Sequence, residues 1–315
     1  MDEPPINHLV TPSEMMESGL ALKGYSERRI KRAKGKTNVF RFKHHFGVSP
    51  CTAVWVYTDM QITNIAGAKI KGGILDLKYF LIGLYYLRKY PTEEELTSQF
   101  DYSNYWVREK AWGTIEKIQL LKHQVIVWED DYQQGKRWVM TVDGIHCWIN
   151  EPSHKEWSQD PKYYSHKYNK AGLDYELGIS LVDNRLLWMR GPFPAGTNDI
   201  TIFREKGLLD ELKKRKQSAI GDRGYNGEPK HMSTYNAHDN AGVRLFKSRA
   251  LKRHENFNSL LKQNKILDTR FRHNEDRFAS AFEACCVLAQ YRITREMSLY
   301  DILIEDVVDT YEGDK

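Results

Sequence analysis

The spacing of hydrophobic positions changes near residue 130, from a helical period to short alternating runs. From Phe40 to about Val127, apolar residues recur every three or four positions, most densely over Leu75–Tyr90. Thr92 and the three glutamates after it predict the start of another helix, because threonine caps free N–H groups and acids suit the positive end of the helix dipole. The pattern predicts an all-helical domain over residues 39–130.

A short helix, a polar turn and a longer helix follow one another between residues 92 and 122. The turn is Asp101-Tyr102-Ser103, and the longer helix begins near Val107 and carries aromatic and basic side chains. This is the arrangement of a helix-turn-helix, a motif that binds DNA. A plain helical bundle fits the same pattern almost equally well.

Beyond residue 131 the alternation of apolar and polar residues predicts a sheet. Trp138–Val142 predicts a strand that stops at Asp143 and resumes after the following glycine. Two more alternating runs, 175–182 and 185–189, flank an Asp-Asn turn and predict a hairpin.

Helices and short strands complete this part of the chain. Thr197-Asn198-Asp199 predicts a helix cap, and Ser218–Gly221 predicts a short buried strand. Val243–Phe246 predicts another strand, before a helix that Ser248 caps. A hairpin, a crossover helix, a strand and further helices give a mixed α/β sheet with flanking helices, in the order of a ribonuclease H-like core.

Four regions are therefore expected. They are a basic, flexible N-terminal arm (1–38), the helical domain (39–130), the α/β domain (131–300) and an acidic C-terminal tail (301–315).

The composition is that of an ordinary globular protein, with 41% apolar and 28% charged residues. The four cysteines form no CxxC pair, and the adjacent Cys285 and Cys286 are poorly placed to pair with each other. They are expected to be reduced, buried thiols of an intracellular protein. No signal peptide and no apolar run of membrane-spanning length is visible, so no membrane partner is expected.

Positive charge is concentrated in two segments, although the formal net charge is only +5. Between Arg244 and Arg272 there are nine Lys or Arg and only two acids, and a second basic run extends from Arg28 to Lys36. Such clusters favour polyanionic partners, although a solvated basic face is the simpler alternative for either one. The N-terminal run fits a nuclear-import signal, a DNA-gripping arm or a flexible tail equally well.

Three acids stand out against this background. Asp143 lies in Val-Asp-Gly, Asp222 in Gly-Asp-Arg-Gly-Tyr, and Glu255 in a strongly basic helix. Asp143 and Glu255 each have an ordinary explanation, an Asp-Gly turn for the first and a salt bridge to Lys252 or Arg253 for the second, whereas the Gly-Asp-Arg-Gly-Tyr segment after a buried strand fits a functional role and a structural one equally well. Together they are what phosphodiester chemistry needs, because carboxylates hold the two divalent cations that stabilise the attacking and leaving oxygens.

The helix that carries Glu255 supports this hypothesis. At 3.6 residues per turn, Leu251, Glu255, Asn258 and Lys262 share one face. We expect Glu255 to face the sheet edge and Lys262 to hold a phosphate. The glycines beside Asp143 and Asp222 are expected to let backbone and phosphate approach closely.

Motifs between residues 139 and 296 resemble those of DDE-type transposases of the PIF/Harbinger group and related bacterial insertion-sequence enzymes. The resemblance is carried by Val142-Asp143-Gly144, Tyr163–Lys167, Gly196–Asp199 with Phe203-Arg204, Gly221–Tyr225, and Ser248-Arg249 through Glu255 to Lys262. It implies a ribonuclease H-like fold, with Asp143, Asp222 and Glu255 as catalytic metal ligands. The implied cofactor is Mg²⁺, two ions per site, for which Mn²⁺ can substitute.

Basic residues near these motifs are expected to contact DNA: Lys167, Arg223, Arg249, Lys252, Arg253 and Lys262. In two places the chain departs from the family pattern. Leu251 stands where an arginine is usual, and Asn198 stands where a histidine often precedes the aspartate. These departures bear on DNA contacts and packing more than on the metal site.

Asp199 is the rival for the second carboxylate. We favour Asp222 because it ends a strand, whereas Asp199 has the position of a helix cap. Asp183, in the hairpin turn, is expected to be structural.

The resemblance implies a nuclear DNA transposase that cuts double-stranded DNA at terminal inverted repeats and transfers the strands into target DNA. A Myb-like DNA-binding accessory protein and at least a homodimer are further implications of the family. The alternative is a domesticated DNA- or chromatin-binding adaptor without catalysis. Such adaptors often lose one acid, and this chain retains all three. A nuclease without strand transfer is a third possibility.

Overall fold

The computed structural model describes residues 9–62, 76–100, 102–152 and 160–302. The chain divides into two compact units. The first comprises Met1–Val125, Leu261–Thr269 and Asp276–Met297, and the second comprises Ile126–Leu260, Arg270–Glu275 and Ser298–Lys315. The last long helix thus belongs mainly to the first unit, although the sequence pattern assigned it to the α/β domain.

The helices of the described residues follow one another along the chain. They are α1 (Pro12–Leu22), α2 (Glu27–Arg32), α3 (Gly35–Phe46), α4 (Pro50–Ile62), α5 (Leu77–Lys89), α6 (Glu93–Phe100), α7 (Asn104–Leu120), α8 (Lys122–Val125), α9 (Asp199–Glu205), α10 (Leu208–Arg215), α11 (Ala241–Lys262), α12 (Lys265–Asp268) and α13 (Glu275–Arg295).

The expected flexible arm over residues 1–38 is wrong from Pro12 onward. Thr11 and Glu14 form a capping box at the start of α1, and Met15 and Leu20 are fully buried. The segment is ordered because its apolar side chains join the core of the first unit. Residues 1–8 lie outside the described ranges, as do 303–315, which make up almost all of the predicted acidic tail.

The predicted pair of helices between residues 92 and 122 is present as α6 and α7. Thr92 accepts a hydrogen bond from the Glu95 N–H at 3.2 Å, and the Glu95 carboxylate accepts one from the Thr92 N–H at 2.7 Å. Ser103 caps α7, accepting from the Trp106 N–H at 3.3 Å. Both caps confirm helix starts near the predicted positions; Asp101, in the predicted turn, lies outside the described residues.

The second unit is built on a mixed sheet. Its strands are β1 (Trp138–Trp148), β2 (Tyr164–Ser165), β3 (Lys170–Ser180), β4 (Leu186–Pro194), β5 (Ser218–Gly221) and β6 (Met232–Ser233). The order is β2-β3-β1-β5-β6, and β4 also pairs with β3. β1, β3 and β4 are antiparallel neighbours, whereas β5 runs parallel to β1 after the crossover through α9 and α10. The predicted hairpin, crossover and mixed sheet are therefore present, consistent with a ribonuclease H-like order.

Apolar residues cover both faces of this sheet. On one face Met140 and Val142 pack with Phe203 and Leu212 from the crossover helices. On the other face Ile220 packs with residues of α11 and with Leu181. Burial on both faces explains the apolar positions on both faces of the central strands.

Two predicted boundaries are wrong. β1 is not interrupted at Asp143 and Gly144 but runs on to Trp148, because β3 pairs with it through this segment, with Asp143 opposite Leu177. Val243–Phe246 is not a strand but the start of α11, where Val243, Phe246 and Ala250 are buried at helical spacing.

All four cysteines lie in described ranges and are free thiols; Cys51 is exposed, unlike the buried position expected for it. Across the described ranges, none of the helices has the length and apolarity needed to cross a membrane.

Candidate active site

Asp143 lies in the middle of β1 rather than at its end. Its Oδ1 accepts a hydrogen bond from the Gly144 N–H at 2.8 Å, and the Asn258 side-chain amide lies 3.4 Å from its Oδ2. Strand pairing on the β3 side fixes the backbone here. The carboxylate is thus held from its own strand and from α11.

Asp222 follows β5 directly, as predicted. Gly221, the last residue of β5, pairs with Val142 on β1, so the chain leaves the sheet beside Asp143. Asp222 Oδ1 accepts a hydrogen bond from the Gly224 N–H at 2.8 Å, which turns the chain after the strand. Two neighbouring parallel strands therefore bring two acids to one place.

Asp199 is not a helix cap. Asn198 occupies the cap position of α9, and Asp199 is its first helical residue. A Cβ added at Gly224 would lie 2.5 Å from Asp199 Oδ2 and 3.0 Å from Asp222 Oδ1, and one added at Gly144 would lie 3.3 Å from Asp199 Oδ1. The space that the glycines leave is thus taken by the Asp199 carboxylate, which joins Asp143 and Asp222 in one carboxylate cluster.

Burial and mutual repulsion raise the affinity of this carboxylate cluster for protons. Burial, then the charge of Asp222, raises the pKa of Asp143 to about 7, and Asp199 adds to the effect. Burial, then Asp222 and Asp174, raises the pKa of Asp199 to about 6. The cluster concentrates negative charge that a cation can offset.

Glu255 lies on α11. Two residues close to it in the sequence, His254 and Asn258, position this helix against β1. The His254 Nδ1 lies 3.3 Å from the Thr141 carbonyl oxygen, and Asn258 reaches Asp143. Burial lowers the pKa of His254 to about 3, so the neutral ring can donate to that carbonyl. Glu255 is exposed, and its spacing of three residues puts it on the same helix face as Asn258.

Lys167 reaches the carboxylate cluster from the turn between β2 and β3. Burial lowers the pKa of its ammonium, but Tyr168 and the charges of Asp143 and Asp199 raise it above the ordinary value. Lys167, one of the residues predicted to bind DNA, therefore interacts electrostatically with Asp143 and Asp199.

Sequence reasoning missed the polar residues of β3. His146 Nδ1 lies 2.8 Å from Asp174 Oδ1, and the His146 ring stacks on Tyr168 with centroids 4.4 Å apart. Glu176, opposite Gly144, is buried and accepts a hydrogen bond from the Trp188 indole at 3.0 Å. The sequence signal that could have revealed these residues is the spacing of Asp174 and Glu176, which puts two acids on one face of β3.

The guanidinium of Arg253, a residue predicted to contact DNA, is buried and hydrogen-bonded within the protein. It donates to the backbone carbonyls of Ser180 at 2.9 Å and Tyr300 at 2.7 Å, and to that of Asp183. Burial lowers the pKa of Arg253. The prediction for this residue is wrong; Arg253 fixes the hairpin turn after β3.

The other cations predicted to bind DNA differ in their surroundings. Lys262 donates to the Leu267 carbonyl at 2.8 Å. Arg223 and Lys252 are exposed and lie over the rings of Tyr235 and Tyr300, whereas Arg249 is half-buried. Asp183 accepts hydrogen bonds from Tyr132 and Arg185, which agrees with its expected structural role.

The chemistry of the carboxylate cluster fits a hard divalent cation. Carboxylate oxygens are the ligands that Mg²⁺ prefers, and a few suffice because the ion keeps several waters. Among the described residues, no group of three or more His, Cys, Asp or Glu side chains is preformed to hold a metal ion. The three aspartates that converge here repel one another without a cation between them.

Residues 142–290 match the family model of the DDE superfamily endonucleases. This match supports a DDE transposase-type family, with a transposase or nuclease role and DNA as the substrate. Endonucleases of this superfamily generally use divalent metal ions. No curated protein and no solved structure matches the chain.

Proposed function

We propose that this chain is a DNA transposase of the PIF/Harbinger type, which cuts the ends of a transposon and joins them to target DNA. The observation that carries the proposal is the approach of Asp143 on β1 and Asp222 after β5, beside the face of α11 that holds Glu255. The match of residues 142–290 to the endonuclease family supports it independently.

In this proposal Asp143, Asp222 and Glu255 hold two divalent cations, Mg²⁺ or Mn²⁺. When bound, such ions stabilise the negative charge that develops on the attacking and leaving oxygens of a phosphodiester. Asn258 and the Gly144 N–H orient the Asp143 carboxylate, and the Gly224 N–H orients Asp222. Asp199 adds negative charge to the carboxylate cluster without being the second ligand.

In this proposal, basic side chains of the protein bind the phosphates of the DNA. Lys167 is placed to receive the phosphate nearest the carboxylates, because its charge already interacts with Asp143 and Asp199. The exposed Arg223 and Lys252 contact phosphates farther along the strand. The helices α6 and α7 recognise the terminal repeats as a helix-turn-helix. A Myb-like partner, a homodimer or higher oligomer and a nuclear location complete the proposal by family resemblance.

The test is metal-dependent cleavage of duplex DNA that carries the element's terminal repeats. We expect the wild type to cut in Mg²⁺ or Mn²⁺, and Asp222→Asn and Glu255→Gln to fold normally but not to cut. Asp210→Asn, which removes an exposed acid on α10, is the matched control and should cut as the wild type does. Equal cleavage by all four proteins would contradict the assignment of the site.

Product analysis separates the alternatives. Joined target DNA indicates a transposase, whereas hydrolysis without joining indicates a simple nuclease. An adaptor would bind DNA without cutting it, and its Mn²⁺ binding, measured by calorimetry, would not depend on Asp143, Asp222 or Glu255.

A further inference from the structure

The basic run near the N-terminus forms an ordered surface in the first unit. It lies on α2 and at the start of α3, and Glu27 is the one acid among the residues 27–36. Arg28, Arg32, Lys34 and Lys36 are exposed, and we call these four residues the α2–α3 surface.

The corner between α2 and α3 is fixed by buried polar contacts. The buried Asn38 donates from Nδ2 to the Ile30 carbonyl at 2.9 Å, which ties the end of α2 to α3. Arg41 donates to Asn38 Oδ1 at 3.1 Å, and the guanidinium groups of Arg29 and Arg41 lie over the Tyr25 ring at 4.6 and 5.3 Å. The cations of the α2–α3 surface are therefore presented from a rigid support.

Within the part of the chain that the structure describes, no acidic side chain pairs with the cations of the α2–α3 surface. Lys31, next to it, pairs with Glu27. Across the described ranges, none of the four residues of the α2–α3 surface forms an ion pair. Four like charges on one short corner repel one another, so the arrangement costs stability unless an anion binds there.

Helix electrostatics make the position of two of these lysines unfavourable as well. Lys34 is the cap residue of α3 and makes no capping hydrogen bond, and the first turn of α3 contains Lys36 and no acid. Cations at the positive end of a helix dipole are destabilising. A local rule that is broken without internal compensation is typical of a functional surface.

We propose that the α2–α3 surface binds the phosphate backbone of double-stranded DNA, outside both the carboxylate cluster and the α6–α7 pair. The inference extends the proposed function, because it names a second DNA-contacting surface. Phosphates of a duplex present closely spaced negative charge that complements four fixed cations, and such contacts are independent of base sequence.

The experiment measures DNA binding without cleavage. The full chain carrying Asp222→Asn is titrated, in EDTA and at several salt concentrations, against a short fluorescent duplex of random sequence. The test variant adds Arg28→Gln, Arg32→Gln, Lys34→Gln and Lys36→Gln. The matched control adds Lys206→Gln, Lys213→Gln, Lys214→Gln and Lys216→Gln, which remove equal charge from exposed positions on and beside α10.

We expect the test variant to bind roughly tenfold more weakly, with the slope of log K against log salt reduced by about 0.9 for each lost phosphate contact. The control should keep the wild-type slope. Equal losses of DNA affinity in the two variants would overturn the inference. It would also be overturned if a single-stranded RNA bound more tightly than the duplex and lost as much affinity when the four charges are removed. If the fourfold variant does not fold, Arg28→Gln with Arg32→Gln replaces it and should show about half of the slope reduction expected for the fourfold variant.

Cleavage by the chain with intact carboxylates is measured separately. Charge-dependent binding without cleavage would remove the proposed function and leave this inference standing. Cleavage by a chain whose DNA binding does not depend on the α2–α3 surface would support the proposed function and overturn this inference.

Discussion

Asp143 and Asp222 directly follow Val142 and Gly221, which pair with each other on the two parallel strands β1 and β5. β5 ends there while β1 continues, so Asp222 leaves the sheet beside a carboxylate that is still part of it. The negative charge of Asp222, after burial, raises the pKa of Asp143 to about 7. The two carboxylates therefore act on each other electrostatically, and a change at Asp222 is expected to alter the charge state of Asp143.

Asp199 and Asp222 compete for the role of second carboxylate ligand, and metal binding can separate them. We expect Asp222→Asn to abolish Mn²⁺ binding and Asp199→Asn to weaken it by only about tenfold, because Asp199 acts through its charge on the ligands. Calorimetric titration of Mn²⁺ gives both affinities. The opposite order would make Asp199 the ligand.

Gly224 leaves the space that the Asp199 carboxylate occupies. An added Cβ at this position would lie 2.5 Å from Asp199 Oδ2 and 3.0 Å from Asp222 Oδ1, so Gly224→Ala must displace both acids. A displacement of about 1 Å costs on the order of 100-fold in rate, and we expect a loss of that size in DNA cleavage. Gly144→Ala, with a Cβ 3.3 Å from Asp199, is the matched control and should lose much less. Equal losses would contradict the importance of the space that Gly224 leaves for the two carboxylates.

The buried Glu176 carboxyl is expected to make the free energy of unfolding depend on pH. Burial, and to a lesser degree the charge of Asp199, raises its pKa to about 8 against an ordinary value of 4.5. Between these values the folded chain holds a proton that the unfolded chain has released, so this group lowers the stability as the pH rises. Glu176→Gln removes the effect while keeping an acceptor for the Trp188 indole.

The stability of Glu176→Gln relative to the wild type should therefore grow from pH 5 to pH 8, by at most about 1.4 kcal/mol per pH unit, and then level off. Urea unfolding at each pH measures it. A constant difference over this range would contradict a buried, proton-binding Glu176, and Glu205→Gln serves as an exposed control.

Arg253 and Arg249 should differ sharply although both were predicted to bind DNA. Arg253→Ala leaves the backbone carbonyls of Ser180, Tyr300 and Asp183, the first of them buried, without this donor, and we expect a loss of roughly 2–4 kcal/mol in the free energy of unfolding. Arg249→Ala removes a half-buried side chain and should change stability little. Chemical denaturation of the two variants checks this; equal stability would mean that the Arg253 contacts contribute nothing.

Several elements were predictable because their signals are local. Capping residues gave the starts of α6 and α7, and the Asp-Asn turn gave the β3–β4 hairpin. The start of α11 was missed, although Val243, Phe246 and Ala250 recur at helical spacing, because a short apolar run fits a strand equally well. The continuity of β1 through Asp143 and Gly144 was missed because an Asp-Gly pair suggests a turn, whereas pairing with β3 holds this segment extended.

The sequence by itself determined the mixed order of strands and helices, the strand-end position of Asp222 and the helix face that carries Glu255. These follow from periodicity and turn chemistry, which act between near neighbours in the chain. Only the tertiary structure decided that Asp199 joins Asp143 and Asp222, that Arg253 is an internal support and that α2 and α3 form a rigid basic corner. These outcomes depend on which distant residues become neighbours, and strand register and burial set that once the chain has folded.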